Sequence, residues 1–313
     1  MNASQPSELP PPPKYRRSML SRFGFNFYDV FVMAFCCIFA LICLYPMWYV
    51  FLASITPYQE YIKGGALVVP RAAPDFQYYR AIFSTRSFVN SLGISASTTV
   101  LGTILGLLVT STMAYAASKS HVPGMKAVNA LVVFLLFFSG GLIPDYVNLR
   151  QLGLLRTYWV MVVPGALNIV YYIIMRNYFS YSVQTELEEA ARIDGCNDIQ
   201  VYWKIILPLA KPMLAAVGLF IAVLGWNDYY SYVMFISNKP ELQPLAWILR
   251  RMLVDPAMTN QVRTGAASMG LEVPPPMALR MATIICAMLP IMVVYPFLQK
   301  HFAQGIMIGA VKE

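Results

Sequence analysis

R-S-F-V-N-S-L-G-I-S-A-S-T-T-V-L-G-T-I-L-G-L-L-V-T-S-T-M-A-Y-A-A-S-K, residues 86–119, holds no charged side chain between Arg86 and Lys119. The hydrocarbon core of a bilayer is about 30 Å thick, so a helix needs roughly 20 mostly apolar residues to cross it. This run supplies that length, and other gaps between charges supply it again. They are Asp29 to Glu60, Lys126 to Asp145, Arg156 to Arg176, Lys211 to Lys239 (interrupted by Asp228) and Arg280 to Lys300. Together they predict six spans near 30–53, 90–117, 127–147, 158–177, 212–236 and 281–299. Backbone amides in lipid must be paired within the segment, which selects helices. The strands of a membrane barrel would alternate in polarity with period two, and these runs do not.

Composition points the same way. Of 313 residues, 58% are hydrophobic and 12% charged, against about 45–50% and about 25% in soluble domains. The net charge of +8 does not imply nucleic acid, because the 23 basic residues are scattered between apolar runs and form no stripe. Cys36, Cys37, Cys43, Cys196 and Cys286 show neither C-x-x-C nor metal-finger spacing. Four of them lie in apolar runs, where cysteine behaves as a small hydrophobe.

Residues 1–27, with Pro10 to Pro13, read as a disordered tail. Its cluster Lys14, Arg16, Arg17 and Arg22 argues for a cytoplasmic N-terminus by the positive-inside rule. The apolar stretch that follows is too long for a cleavable signal peptide, and no A-x-A-like site follows it. Six crossings then return Lys300, His301 and Lys312 to the cytoplasmic side. Counted over the whole chain, twelve Lys and Arg fall inside and eleven outside, so the orientation rests on the tail. In the second span Gly102, Gly106, Thr110 and Ala114 recur every fourth residue, which reads as a packing seam between helices. Tyr45, Trp48 and Tyr49 fit an interfacial aromatic belt.

The connection 178–211 is the longest one expected inside: Y-F-S-Y-S-V-Q-T-E-L-E-E-A-A-R-I-D-G-C-N-D-I-Q-V-Y-W-K-I-I-L-P-L-A-K. Thr185 and Glu188 have capping-box spacing. Glu186, Glu188 and Glu189 put negative charge in the first turns, where the helix dipole favours it. Leu187, Ala190, Ala191 and Asp194 fall on or near one side. Gly195 sits where a left-handed residue would close the helix. Asn197 or Asp198 can cap a second helix that ends at Leu207-Pro208-Leu209. Taken alone, these signals fit either a well-capped amphipathic connection or a rigid device with a partner.

The segment resembles the E-A-A motif of ATP-binding-cassette (ABC) import permeases: E-A-A, three residues, Gly, nine residues, then I-x-L-P. The matching residues are Glu189, Ala190, Ala191, Gly195, Ile205, Leu207 and Pro208. Its place between the fourth and fifth spans is similar to that in maltose-transporter-type carbohydrate permeases. The likeness continues in L-I-P at Leu142 to Pro144, R-T-Y-W at Arg156 to Trp159, W-N at Trp226-Asn227 and the closing G-A-V-K. It covers roughly residues 25 to 312. Glu313 departs from the glycine common at that end.

That resemblance implies an all-α membrane protein with the six-transmembrane-helix fold of an ABC type I importer permease, residues 28–313. It implies an outer loop at 238–280 that meets an extracytoplasmic solute-binding protein. It further implies a second permease subunit, two ATPase subunits holding ATP and Mg, and residence in membrane lipid, namely the bacterial inner membrane. The short helix would seat in a cleft on the ATPase, with Thr185, Glu188, Glu189, Ala190, Ala191, Asp194, Gly195, Leu207 and Pro208 as coupling residues. In the family's terms, ATPase closure becomes a push on the fourth and fifth spans. The implied cargo is a sugar or oligosaccharide.

No G-x-x-x-x-G-K-[ST] phosphate loop occurs, so the expected energy source lies on another polypeptide and no cofactor is expected here. No catalytic or metal-ligating set is visible, and His121 and His301 read as solvated or interfacial. In the fourth span Asn168, Tyr171, Tyr172 and Met175 share helical spacing. An amide with aromatic rings suits a sugar, and ordinary packing with Asn168 as polar glue accounts for the same pattern. Trp226, Asn227 and Asp228, followed by Tyr229 and Tyr230, put an acid with an indole and an amide within a span, and the three read as either pathway or interfacial groups. An ion-coupled carrier would bring inverted repeats and mid-membrane charges, and a membrane enzyme a paired catalytic set. Neither pattern is detected.

Overall fold

The computed structural model describes residues 27–63, 69–70, 72–119, 122–181, 185–268, 270 and 273–310, with the side chains of 27–29, 58, 62, 185 and 297–310 excluded. The basic tail cluster, His121, Lys312 and the side chain of Thr185, and with it the expected Thr185 cap, lie outside the described residues. Every described regular element is helical: α1 Phe27–Ile55, α2 Tyr58–Ile62, α3 Gln77–Phe83, α4 Arg86–Ser118, α5 Met125–Phe137, α6 Leu142–Gln151, α7 Ile169–Tyr181, α8 Thr185–Ile193, α9 Asp198–Val201, α10 Leu207–Leu209, α11 Lys211–Trp226, α12 Tyr230–Phe235, α13 Leu245–Val254, α14 Pro256–Ser268 and α15 Pro276–Ala310. Short 3-10 turns add Tyr158–Met161, Pro164–Ala166 and Pro240–Leu242, and a π-helical turn, Tyr202–Ile206, joins α9 to α10.

Among the described residues, three helices are long and apolar enough to cross a bilayer: Val30–Ile55, Arg86–Ser118 and Pro276–Pro296. Two bent pairs bring the number to as many as five. Tyr158–Ala166 meets Ile169–Tyr181 at 40°, and Asp198–Leu209 meets Lys211–Trp226 at 81°. The membrane-helical class therefore stands, while the continuity of single spans differs from the reading of charge gaps. The run expected at 127–147 is two helices. Ser139-Gly140-Gly141 separates them, and Gly141 at φ +84° holds a conformation that side-chain-bearing residues rarely adopt. In the run expected at 158–177, Pro164 and Gly165 confine the first half to short 3-10 turns. The fifth run turns at Asn227–Tyr229 before α12.

The chain divides into two compact units, 1–49 and 50–313. The described part of the first is apolar helix with Phe31, Phe35, Phe39 and Leu41 exposed, a surface that suits lipid. In the second unit α4 is the central element, packed on α7, α11, α5 and α13. The small-residue seam of α4 is partly as expected. A side chain at Gly106 would meet Ile221 Cδ1 at 3.2 Å, the Thr110 hydroxyl donates to the Ala166 carbonyl (3.4 Å), and Ala114 is fully buried. Gly102 departs from it, with nothing within 4 Å of its would-be Cβ.

The connection 238–280, expected as an irregular loop, is largely helical. Leu245, Ile248 and Met252 of α13 and Met258 and Val262 of α14 are buried with Tyr78, Ile82, Phe88, Trp226 and Leu279 in one core. The prolines open helices here rather than interrupting them. Pro244 precedes α13, and Pro256 and Pro276 are the first residues of α14 and α15, where proline lacks no needed donor. Arg280 Nε donates to the Met252 carbonyl (2.9 Å) and tethers α15 to α13.

Candidate functional site

The E-A-A segment closes at Gly195 and is capped at Asn197 as its local signals predict, while the second helix expected to end at Leu207-Pro208-Leu209 is interrupted by the π-helical turn Tyr202–Ile206. α8 ends at Ile193, and Gly195 follows at φ +86°. The Gly195 amide donates to the Arg192 carbonyl (3.0 Å) and the Cys196 amide to the Ala191 carbonyl (2.9 Å), which together form a Schellman closure. Asn197 then caps α9 with a reciprocal pair. Its Oδ1 accepts from the Gln200 amide (2.8 Å), and its own amide donates to Gln200 Oε1 (3.0 Å). Arg192 pairs with Asp198 at 2.9 Å across the turn.

The two faces of α8 differ. Ala191 is buried among Tyr115, Val201, Tyr202 and Ile206, and Glu188 is 3% exposed, its carboxylate held by the Lys119 ammonium. Lys119 also sits 4.7 Å from the Tyr115 ring centroid, a cation–π distance. Glu188 and Ala191, both expected to face an ATPase, are thus turned into the protein. Glu189, Ala190, Asp194 and Gly195 lie on the exposed side, and Leu187 and Ile193 are exposed with them, Ile193 at 86%. Ile199 and Trp203 extend this apolar exposure into the next helical stretch. Leu207 is half-buried and Pro208 exposed at the 81° bend.

A second feature is a cavity of about 350 Å³ between α4, the 3-10 turns before α7, and α11. Three expected pathway residues meet there: Asn168, Tyr171 and Asp228. Asn168 also starts α7, since its Oδ1 accepts from the Val170 and Tyr171 amides (3.0 and 3.3 Å). Tyr171 stacks on Phe220 with centroids 6.0 Å apart. Asp228 Oδ1 accepts from the Ser231 amide (3.1 Å) and is the charged residue of the lining.

The other three stand elsewhere. Tyr172 is 1% exposed and donates its hydroxyl to Asn129 Oδ1 (2.6 Å). Trp226 is in the core, its indole donating to the Ala287 carbonyl (3.0 Å). Asn227 is exposed and donates to the Val223 carbonyl (2.8 Å).

Sequence reasoning missed the α4 wall of this cavity, Thr98, Thr99, Gly102 and Thr103, and also Ser231. The hydroxyls of Thr99 and Thr103 are buried without a hydrogen-bond partner among the described residues. Their i, i+4 spacing was the available signal. Hydroxyls, an amide, one carboxylate and an aromatic ring stand on a frame that is largely apolar, with Val160, Met161, Val162, Pro164, Ile221 and Leu224, and supply a few hydrogen-bonding positions for a polar solute. Among the described residues no group of three His, Cys, Asp or Glu side chains is placed to hold a metal ion.

The family described as binding-protein-dependent transport system inner membrane component matches residues 15–308. The chain is 40% identical to Protein LplC of Bacillus subtilis over 87% of its own length and 90% of that protein. It is 37% identical to the polygalacturonan/rhamnogalacturonan transport system permease protein YtcP of the same organism, over 91% and 98%. A crystal structure of a bacterial ABC transporter involved in the import of the acidic polysaccharide alginate contains a chain that superposes with a TM-score of 0.81. Identity there is 31%, covering 91% of this chain and 98% of that one.

Proposed function

This chain belongs to the binding-protein-dependent transport system inner membrane components, and from that membership we propose that it translocates a sugar or oligosaccharide as the permease subunit of an ABC importer. It is a transporter subunit and not an enzyme. The carrying observation is the closed, surface-exposed helix α8. Its Schellman turn at Gly195 fixes the exit angle, while Glu189, Ala190, Asp194, Leu187 and Ile193 remain on its exposed side. A short rigid helix with small residues and charged acceptors suits a cleft on a separate ATPase. The carbohydrate cargo is carried over from relatives such as YtcP and from the alginate importer, and the hydroxyl- and amide-lined cavity is compatible with it.

In this reading the chain lies in the bacterial inner membrane with both termini and α8 on the cytoplasmic side. It pairs with a second permease subunit and two ATPase subunits, which hold ATP and Mg. The helices α13 and α14 face outward toward the solute-binding protein. Solute released from that protein would pass the cavity bounded by Thr99, Thr103, Asn168, Tyr171 and Asp228.

The test is uptake by the assembled complex in proteoliposomes, with its binding protein outside and a panel of neutral and acidic oligosaccharides. Uptake that requires ATP hydrolysis and persists with an ionophore supports the assignment. Uptake driven by an ion gradient without ATP would replace it with a secondary carrier.

A further inference from the structure

By chain connectivity, α8 is tied to α7 and, through α9 and α10, to α11. Its buried side chains lead to a different element. Glu188 is 3% exposed, and its carboxylate is held by Lys119, the residue that follows the last turn of α4. Arg192, one turn along α8 from Glu188, pairs instead with Asp198. A second contact braces α4 to the stretch that follows α8 and α9: Tyr202, in the π-helical turn, lies 2.7 Å from Ser111 of α4, hydroxyl to hydroxyl. Ala191 packs with Ala114, Tyr115 and Ala117 of α4 in the same core.

We propose that Lys119 and Glu188 are positioning residues that lock the docking helix α8 to α4, so that α4 moves with it and carries ATPase motion to the cavity wall. This rests on the reading of α8 as the ATPase contact. A buried carboxylate drawn away from its ammonium loses its charge compensation, so the pair resists separation. α4 is helical without a break from Arg86 to Ser118. A displacement at Lys119 therefore reaches Thr103 and Thr99, about 25–30 Å away at 1.5 Å per residue. Those threonines line the cavity together with Asn168 and Asp228.

The experiment uses the full complex in proteoliposomes and reads ATP hydrolysed per solute imported, a ratio that a loss of folded protein does not change. The variants are Lys119→Met, Glu188→Gln, Lys119→Arg and the exchange Lys119→Glu/Glu188→Lys. Both neutral variants are expected to raise the ratio about five- to tenfold, Lys119→Arg to keep it, and the exchange to recover most of the loss, as for a directly coupled pair. A ratio in Lys119→Met and Glu188→Gln equal to that of the unmodified complex overturns the proposal. If the exchange does not assemble, the contrast of Lys119→Met with Lys119→Arg decides: equal ratios overturn the latch, and a raised ratio in Met alone supports it. Failure of the unmodified complex to couple ATP to import would instead sink the assignment of function.

Discussion

The hydroxyl of Tyr202 lies 2.7 Å from the hydroxyl of Ser111, a buried bond between groups 91 residues apart. It joins the π-helical turn after α9 to α4. Tyr202→Phe removes one partner and leaves Ser111 with a longer contact, 3.4 Å, to the Leu108 carbonyl. The expected cost is about 1 kcal/mol, read as a lower thermal midpoint of the purified complex. An unchanged midpoint would mean the bond contributes nothing.

Gly195 offers a cleaner separation of causes. A side chain there meets nothing within 4 Å, yet the residue sits at φ +86°. The penalty of substitution is therefore a backbone penalty, about 1–2 kcal/mol for an ordinary L-residue and less for Asn. Gly195→Val is expected to insert in the membrane normally but to waste ATP, whereas Gly195→Asn stays near the unmodified ratio. Equal uncoupling in the two variants would show that steric fit to the ATPase, and not the turn, matters, and normal coupling in both would show that neither does.

Two glycines on α4 make opposite predictions. Gly106→Val drives a side chain into Ile221 Cδ1, 3.2 Å from the nearest new atom, and loosens the α4–α11 contact, with a cost of about 1–3 kcal/mol. Gly102→Val meets only open cavity. It should leave the thermal midpoint unchanged while lowering the import rate. The pair is checked by measuring midpoint and uptake on the same preparations.

Much of this was legible locally. The Gly195 turn and the cap of α9 depend on residues within one helical turn of each other; the turn formed as read, and of the two cap candidates, Asn197 and Asp198, the structure selects Asn197. The broken third run was not legible, because Ser139-Gly140-Gly141 carries no charge and so vanishes in a search for charge-free stretches. The helices at 245–268 were hidden for the opposite reason. The stretch is rich in proline, and Pro244, Pro256 and Pro276 each stand at a helix start, a position that local sequence does not distinguish from a loop. Glu188 is placed against the ATPase by the family resemblance, and its local signals do not reveal its pairing with Lys119, 69 residues earlier, which is a tertiary fact. For the pathway, spacing alone placed Tyr172 beside Asn168 and Tyr171. Which side of the helix was cavity and which was core depended on α4 and α11.

Asp228→Asn keeps an Oδ1 acceptor for the Ser231 amide and so should fold as before. Asp228→Ala loses that bond and about 1 kcal/mol. If the carboxylate acts on the passing solute, both variants change uptake alike despite their different stabilities. If it only holds the turn, Asn transports normally and Ala does not.

The central claim is that α8 faces the cytoplasm and touches a nucleotide-hydrolysing subunit. A cysteine placed at Ile193, 86% exposed, in a chain with its native cysteines replaced, tests both parts at once in intact membranes. The expected result is cross-linking to the ATPase subunit that changes on ATP binding, with no labelling by impermeant reagents from outside. Labelling from the outer side, or no ATPase adduct in an assembled and ATP-hydrolysing complex, would contradict it.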